Sequence, residues 1–126
     1  MGLVYWPHIK QRGNEVNKDI IGKVLEVSDS LGFRRSTEFV AIKLQEELGE
    51  FAVEIGIAKE MLPAHKGGDD GVLGEACDVI NCIVDYTYLV MKQRNPSITK
   101  EDIFRLMAET QEKKCEKWVK VALDKK

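Results

Sequence analysis

Two pairs of carboxylates have a spacing that could do chemistry. Glu47 and Glu50 form the first pair, and Glu75 and Asp78 form the second. Each pair lies in a segment with apolar residues at helical spacing, and residues three apart on a helix share a face. Each segment therefore offers an edge of two carboxylates. If the two helices pack side by side, four like charges converge, and they repel one another unless cations bind between them.

The donor atoms indicate which cation these acids would bind. Carboxylates supply only oxygen ligands, which Mg²⁺ and Mn²⁺ prefer. Zinc and di-iron centres are not expected, because His8 and His65 both lie outside the predicted helices and a di-iron bundle uses Glu-x-x-His pairs. Cys82 lies near the acidic edge, where we expect a small apolar side chain. Mg²⁺ commonly binds substrate phosphates beside a few carboxylates, so the pattern indicates phosphoryl or pyrophosphoryl chemistry.

Four helices are predicted to position these acids, in one all-α domain of 126 residues with an irregular arm over residues 1–14. We expect them over residues 18–31, 37–61, 71–93 and 100–123. Asn17 is the predicted cap of the first helix, and Ser36 or Thr37 begins the second. Asp69 or Asp70 caps the third, and Thr99 with Asp102 resembles a capping box before the fourth.

The second predicted helix shows which of its glutamates face inward. Its apolar residues form a single stripe, made of Leu44, Leu48, Phe51, Ile55, Ala58 and Leu62. At about 100° per residue, one polar edge flanks this stripe. That edge consists of Lys43, Glu47, Glu50 and Glu54. Glu46 points nearly opposite the apolar stripe, so we expect it in solvent.

The third predicted helix is too apolar for a helix with one solvated face. Of its 20 residues from 72 to 91, 14 are apolar, and such a helix is buried on several sides. Because a single chain of this size can hardly bury it, we expect a subunit interface and hence a homo-oligomer. Its polar edge consists of Glu75, Asp78, Cys82 and Asp85, with Asn81 just beside it.

Composition excludes some partners. Hydrophobic residues make up 44% of the chain and charged residues 32%, and the formal net charge is −2. This balance gives no general attraction to nucleic acid or to an anionic membrane. The most apolar segment is interrupted by Glu75, Asp78 and Asp85, so no membrane span is expected. The three cysteines have no pairing pattern, which is typical of a reducing cytoplasm.

The two acidic blocks, KLQEELGE at residues 43–50 and GEACDVIN at residues 74–81, resemble the MazG family of nucleoside triphosphate pyrophosphohydrolases. This family belongs to the all-α NTP pyrophosphatase superfamily. The motif is E-x-x-E, then 24 residues, then E-x-x-D, and the similarity extends over about residues 16–120. With one motif pair, the chain would be a short, single-domain member.

The resemblance implies a four-helix bundle of the MazG type, assembled as a homo-oligomer, with a tetramer built as a dimer of dimers favoured over a dimer. It implies hydrolysis of a (d)NTP to the (d)NMP and pyrophosphate, with water attacking the α-phosphorus, in a house-cleaning role for the nucleotide pool. Glu47, Glu50, Glu75 and Asp78 would bind Mg²⁺, with Mn²⁺ as a substitute.

Three further residues are expected to contribute to substrate binding. Lys43 lies one turn before Glu47 and could contact a phosphate or pair with a carboxylate. Asn81 could hydrogen-bond the sugar or a phosphate, and Glu54 could position water.

Two alternative functions stay open on the sequence. One is phosphoribosyl-ATP pyrophosphohydrolase, within the same superfamily. The other is a non-enzymatic helical oligomer that binds a metal ion or a protein partner, which the apolar third helix would also fit.

Overall fold

The computed structural model describes the backbone of residues 13–124 and the side chains from residue 20 onward. It contains four α-helices: α1 (Gly13–Leu31), α2 (Thr37–Ala58), α3 (Gly71–Arg94) and α4 (Lys100–Asp124). A short 3₁₀ helix, Ala64–Lys66, lies between α2 and α3. No strand occurs in this part of the chain, so the all-α prediction is confirmed.

The first helix begins earlier than predicted. Its first residue is Gly13, so Asn17 is inside the helix and does not cap it. Asparagine lowers helix propensity only modestly, so a helix can continue through it. Of the predicted irregular arm, residues 13 and 14 are helical, and residues 1–12 lie outside the described residues.

Helix α3 is the central element of the fold. It contacts α1, α2 and α4, whereas within residues 13–124 α2 packs only on α3 and the 3₁₀ helix. Neighbours on several sides explain why α3 is apolar around much of its circumference. All four helices contribute side chains to one core, which consists of Leu25, Val40, Val84, Tyr88, Leu89 and Ile103.

Helix α2 turns a different face toward α3 than its apolar stripe predicts. Its buried side chains are Val40 and Glu54, whereas Leu48 and Ile55 of the predicted stripe are 45% and 38% exposed. Residues seven apart return to nearly the same side of a helix, so Val40, Glu47 and Glu54 share one line. Glu47 therefore lies in the contact with α3 and does not merely flank it.

The second helix ends at Ala58, three residues before the predicted end. The N–H of Met61 donates to the carbonyl of Gly56, and the N–H of Glu60 donates to the carbonyl of Ile57. This pair of bonds is a Schellman motif. Glu60 adopts the left-handed conformation that the motif requires, with φ of 60°. The motif ends the helix at Ala58, although the helical spacing of apolar residues continues to Leu62.

The starts of the other helices test the predicted caps. The Ser36 hydroxyl accepts from the N–H of Phe39 at 3.0 Å, as predicted for the start of α2. The box before α4 is confirmed, since Thr99 and Asp102 exchange hydrogen bonds of 3.0 and 3.3 Å. The predicted cap of α3 is wrong: Asp70 precedes α3 but its side chain caps nothing, because its backbone is already helical and not extended as a cap requires.

The described residues leave some apolar surface uncovered among themselves. An open groove of about 680 Å³ lies between α1, α3 and α4, and its lining includes Ile20, Ile80, Ile83 and Leu106. On α3, Ile80 and Ile83 are 41% and 44% exposed. No helix within residues 13–124 has the length and apolar character needed to cross a membrane.

Candidate metal-binding site

The packing of α2 on α3 brings acids of the two helices together. Glu47 of α2 lies near Glu75 and Asp78 of α3, with one carboxylate oxygen from each within 4.8 Å of the others. Further along α2, Glu54 contacts Gly68, which precedes α3. Contacts therefore run backward along α3 as they run forward along α2, so the helices are antiparallel. We call Glu47, Glu75 and Asp78 the acidic triad.

Two oxygens of the acidic triad lack the donors that buried carboxylates need. Glu75 is only 7% exposed, and the side chain of Glu47 is 13% exposed. Oε1 of each is buried without a hydrogen-bond partner in the described part of the chain. Leaving a buried acceptor unsatisfied is unfavourable, and more so for a charged group. These oxygens are therefore sites where a cation would be stabilising.

The electrostatics of Glu75 show how crowded the negative charge is. Burial raises the pKa of Glu75 above its ordinary value, and the charges of Glu50, Asp78, Glu47 and Asp70 raise it further. Burial and the neighbouring negative charges both disfavour the ionised form of Glu75, which a nearby cation would favour. The acidic triad thus has the electrostatic character of a cation site, with oxygen ligands suited to Mg²⁺ or Mn²⁺.

Lys43 only partly offsets this charge. Its ammonium lies 3.6 Å from Oε2 of Glu47 and 3.5 Å from Oε1 of Glu46. The charge of Glu46, followed by that of Glu47, raises the pKa of Lys43. Because Lys43 reaches Glu47 on Oε2, the Oε1 atom that faces the interior keeps no partner.

The other residues predicted to lie at or near the site differ in how exposed they are. Glu46 is exposed, as the helical wheel predicts. Glu50 is also exposed and stands outside the close group, although its charge acts on Glu75. Asn81 is exposed on α3, one turn after Asp78. Cys82 is half-buried, and burial, followed by the charge of Glu47, raises the pKa of its thiol, which keeps it protonated.

Glu54 does not face the acidic triad. It is 7% exposed, and its Oε2 accepts the N–H of Gly68 at 2.8 Å. Its observed contact is therefore with the loop between α2 and α3. The predicted role in positioning water stays a prediction.

A second polar cluster was missed at the sequence level. Asp85, placed there on the acidic edge, accepts from Nε of Arg35 at 3.0 Å and from the Ser28 hydroxyl at 2.6 Å, and a second Arg35 nitrogen also donates to it. Arg35 additionally donates to the carbonyl of Gly32 at 2.6 Å. Asp85 thus joins α1, α3 and the loop before α2. The one indication of this cluster in the sequence was Arg35, whose positive charge lies just before the start of α2.

Compared with models of known protein families, with curated proteins and with solved structures, the chain gives no match. The class of site is therefore defined by its chemistry. It is a partly buried group of carboxylates between two antiparallel helices, short of hydrogen-bond donors among the described residues, that could hold a metal ion.

Proposed function

We propose that the chain is a Mg²⁺-dependent nucleoside triphosphate pyrophosphohydrolase of the MazG type, which converts a (d)NTP to the (d)NMP and pyrophosphate. The observation that carries the proposal is the acidic triad, with two buried carboxylate oxygens that have no hydrogen-bond partner among the described residues. These acids belong to the paired E-x-x-E and E-x-x-D motif that resembles the MazG family. A house-cleaning role in the nucleotide pool follows from that resemblance.

Mg²⁺ fits the residues that are present. Glu47, Glu75 and Asp78 would hold it, with Glu50 at the solvent side of the site. Mn²⁺ would substitute, since it accepts the same oxygen ligands. When bound, the cation neutralises phosphate oxygens and stabilises the charge that develops in the transition state.

The other residues of the site bind and orient the substrate in this proposal. Lys43 has a partly exposed side chain beside Glu47 and can turn its ammonium from the carboxylates to a phosphate. The exposed amide of Asn81 can donate to a phosphate or hydrogen-bond the sugar.

The cellular setting of the proposal is the cytoplasm. The three cysteines in the described residues, Cys77, Cys82 and Cys115, are free. Free thiols are usual in a reducing compartment, which is also where nucleoside triphosphates are abundant.

The test is an assay of the purified protein with Mg²⁺ and a panel of nucleoside triphosphates. We expect pyrophosphate and a monophosphate as products, and release of orthophosphate alone would contradict the proposal. Glu75→Gln keeps the shape of the side chain and removes its charge. Turnover should fall by about 100-fold or more, whereas Glu109→Gln, at an exposed position of α4, should leave it unchanged.

A second measurement tests the cation site without turnover. Because a ligand that binds only the folded state stabilises it, Mg²⁺ should raise the melting temperature of the wild type. Glu75→Gln should melt higher than the wild type without Mg²⁺, since it removes a buried charge, and should lose the Mg²⁺ response. A melting temperature that is indifferent to millimolar Mg²⁺ would contradict the site.

The exposed apolar face of α3 favours one other candidate, a non-enzymatic helical oligomer that binds metal. It predicts stabilisation by Mg²⁺ with no hydrolysis of any nucleotide in the panel. Including phosphoribosyl-ATP in the panel distinguishes the remaining alternative within the superfamily.

A further inference from the structure

Glu54 is a buried carboxylate with a single described contact. It lies seven residues after Glu47 on α2, on nearly the same side of the helix. Its Oε2 accepts the N–H of Gly68 at 2.8 Å. None of the residues from 20 to 124 forms an ion pair with Glu54. The contact that buries this side chain is therefore the loop over residues 59–70.

Glycine at position 67 leaves the space that the Glu54 carboxylate occupies beside the loop. A Cβ atom on Gly67 would lie 2.6 Å from Oε2 of Glu54 and 2.7 Å from Cδ1 of Ile57. The φ of Gly67 is −91°, which any residue adopts, so the requirement is one of space. The neighbouring Gly68 has no atom within 4 Å of such a Cβ.

This anchored loop leads directly into the helix that carries half of the acidic triad. Gly68 is three residues before the first residue of α3 and seven before Glu75. The start of α3 has no side-chain cap, since the Asp70 side chain makes no capping bond. The bond from Gly68 to Glu54 therefore ties the chain just ahead of α3 to the helix that carries Glu47.

We propose that Glu54 is a positioning residue that holds the Gly67–Gly68 segment on α2 and so sets the distance between Glu75 and Glu47. It acts as a hydrogen-bond acceptor for the Gly68 N–H, and its charge is not required. The inference rests on the proposed function only through the binding of a divalent cation at the triad.

Two substitutions at Glu54 separate positioning from charge. Glu54→Ala removes the acceptor, and Glu54→Gln keeps an oxygen at the same place without the charge. Partners that orient metal ligands typically alter metal affinity by about 10- to 100-fold when removed. We therefore expect Glu54→Ala to weaken Mg²⁺ binding to the full chain by about 10-fold or more, and Glu54→Gln to bind like the wild type. Titration calorimetry with Mg²⁺ measures both.

The adjacent glycines provide a matched pair that leaves Glu54 in place. Gly67→Ala must displace the Glu54 carboxylate, so it should weaken Mg²⁺ binding as Glu54→Ala does. Gly68→Ala meets no atom and keeps its N–H, so it should bind like the wild type. Because the two sites share one contact, Gly67→Ala should cost less affinity in the Glu54→Ala background than alone.

The outcomes distinguish this inference from the proposed function. Wild-type binding of Mg²⁺ with unchanged affinity in Glu54→Ala and Gly67→Ala would overturn the positioning role alone. A loss in Glu54→Gln as large as in Glu54→Ala would overturn it too, since the charge would then be what matters. Failure of the wild type to bind Mg²⁺ would overturn the proposed function and this inference with it.

Discussion

The inward-facing carboxylates of this chain differ in what donates to them. Asp85 receives hydrogen bonds from Arg35 and Ser28, and Glu54 receives one from a backbone N–H. Glu47 and Glu75 each keep one buried oxygen with no donor in the described residues. Asp85 and Glu54 thus have hydrogen-bond donors within the described chain, whereas the acidic triad keeps two buried oxygens without one.

The cluster around Asp85 gives a prediction about stability and pH. Burial acts to raise the pKa of Asp85, but the hydrogen bonds from Arg35 and Ser28 and the charge of Arg35 outweigh it and hold the pKa below its ordinary value of 3.8. The stabilisation is therefore complete above pH 3.8 and is lost as the pH falls through the lower pKa of the folded state.

Arg35→Met should lower the free energy of unfolding by about 2 kcal/mol at pH 7, because it leaves a half-buried carboxylate without its charged donor. The difference from the wild type should shrink at pH 3, where Asp85 is largely protonated in the variant. Urea unfolding at the two pH values measures this, and an equal difference at both would contradict it.

Helical geometry predicts part of this site and misses the rest for identifiable reasons. It separates Glu47 from Glu46, because adjacent residues point about 100° apart. It does not show how deeply a side chain is buried, so the exposed Glu50 was grouped with the more buried acidic triad. Helical geometry also cannot show hydrogen-bond partners from distant segments. For this reason Glu54 and Asp85 were assigned to the polar edges of the second and third helices.

At the level of elements, the end of α2 carries a strained residue. Glu60 has φ of 60° in the Schellman motif, a conformation that costs a non-glycine residue about 1–2 kcal/mol. It is exposed and distant in sequence from the acids of the site. Nothing in the motif requires a glutamate side chain, since both bonds are made by the backbone.

Glu60→Gly should therefore raise the free energy of unfolding by about 0.5–1 kcal/mol, after the entropy that glycine adds to the unfolded chain. The neighbouring Lys59→Gly is the control, because Lys59 has φ of −92° and should lose stability. Thermal melts of both variants test the idea, and a lower melting temperature for Glu60→Gly would refute it.

The starts of most helices could be predicted from the sequence. Apolar periodicity and the caps at Ser36 and Thr99 gave three of the four starts within a residue. The end of α2 was missed because a left-handed glutamate carries no sequence signal. The side that α2 turns to α3 was also missed, because the wheel weighs apolar residues and cannot anticipate buried carboxylates.

At the level of the whole molecule, the described residues leave an apolar groove open between α1, α3 and α4, and the homo-oligomer expected from the sequence stays a prediction. Exposed Ile80 and Ile83 in this groove have no cover within the described chain. The central place of α3 could not be read from the sequence, since local patterns do not specify which helices pair.

The assembly is tested by molar mass in solution. Light scattering on the wild type should give a multiple of the chain mass of 14.3 kDa. Ile83→Glu should shift the protein to smaller species, because a charge in a buried contact is unfavourable. Met61→Glu, at a position 77% exposed in the loop after α2, should not. A monomeric wild type would refute the prediction.

The far end of α4 has a consequence for local opening. Every residue from 108 to 124 is exposed, so the described residues give this stretch of helix little tertiary support. Because most helical stability in proteins comes from tertiary packing of one face, a stretch without such packing is only weakly stable. Its amide protons should exchange with deuterium nearly as fast as in a peptide, whereas those near the buried Ile103 exchange only when the domain opens. Slow exchange at Trp118 and Val119 would locate a neighbouring subunit on this end of the molecule.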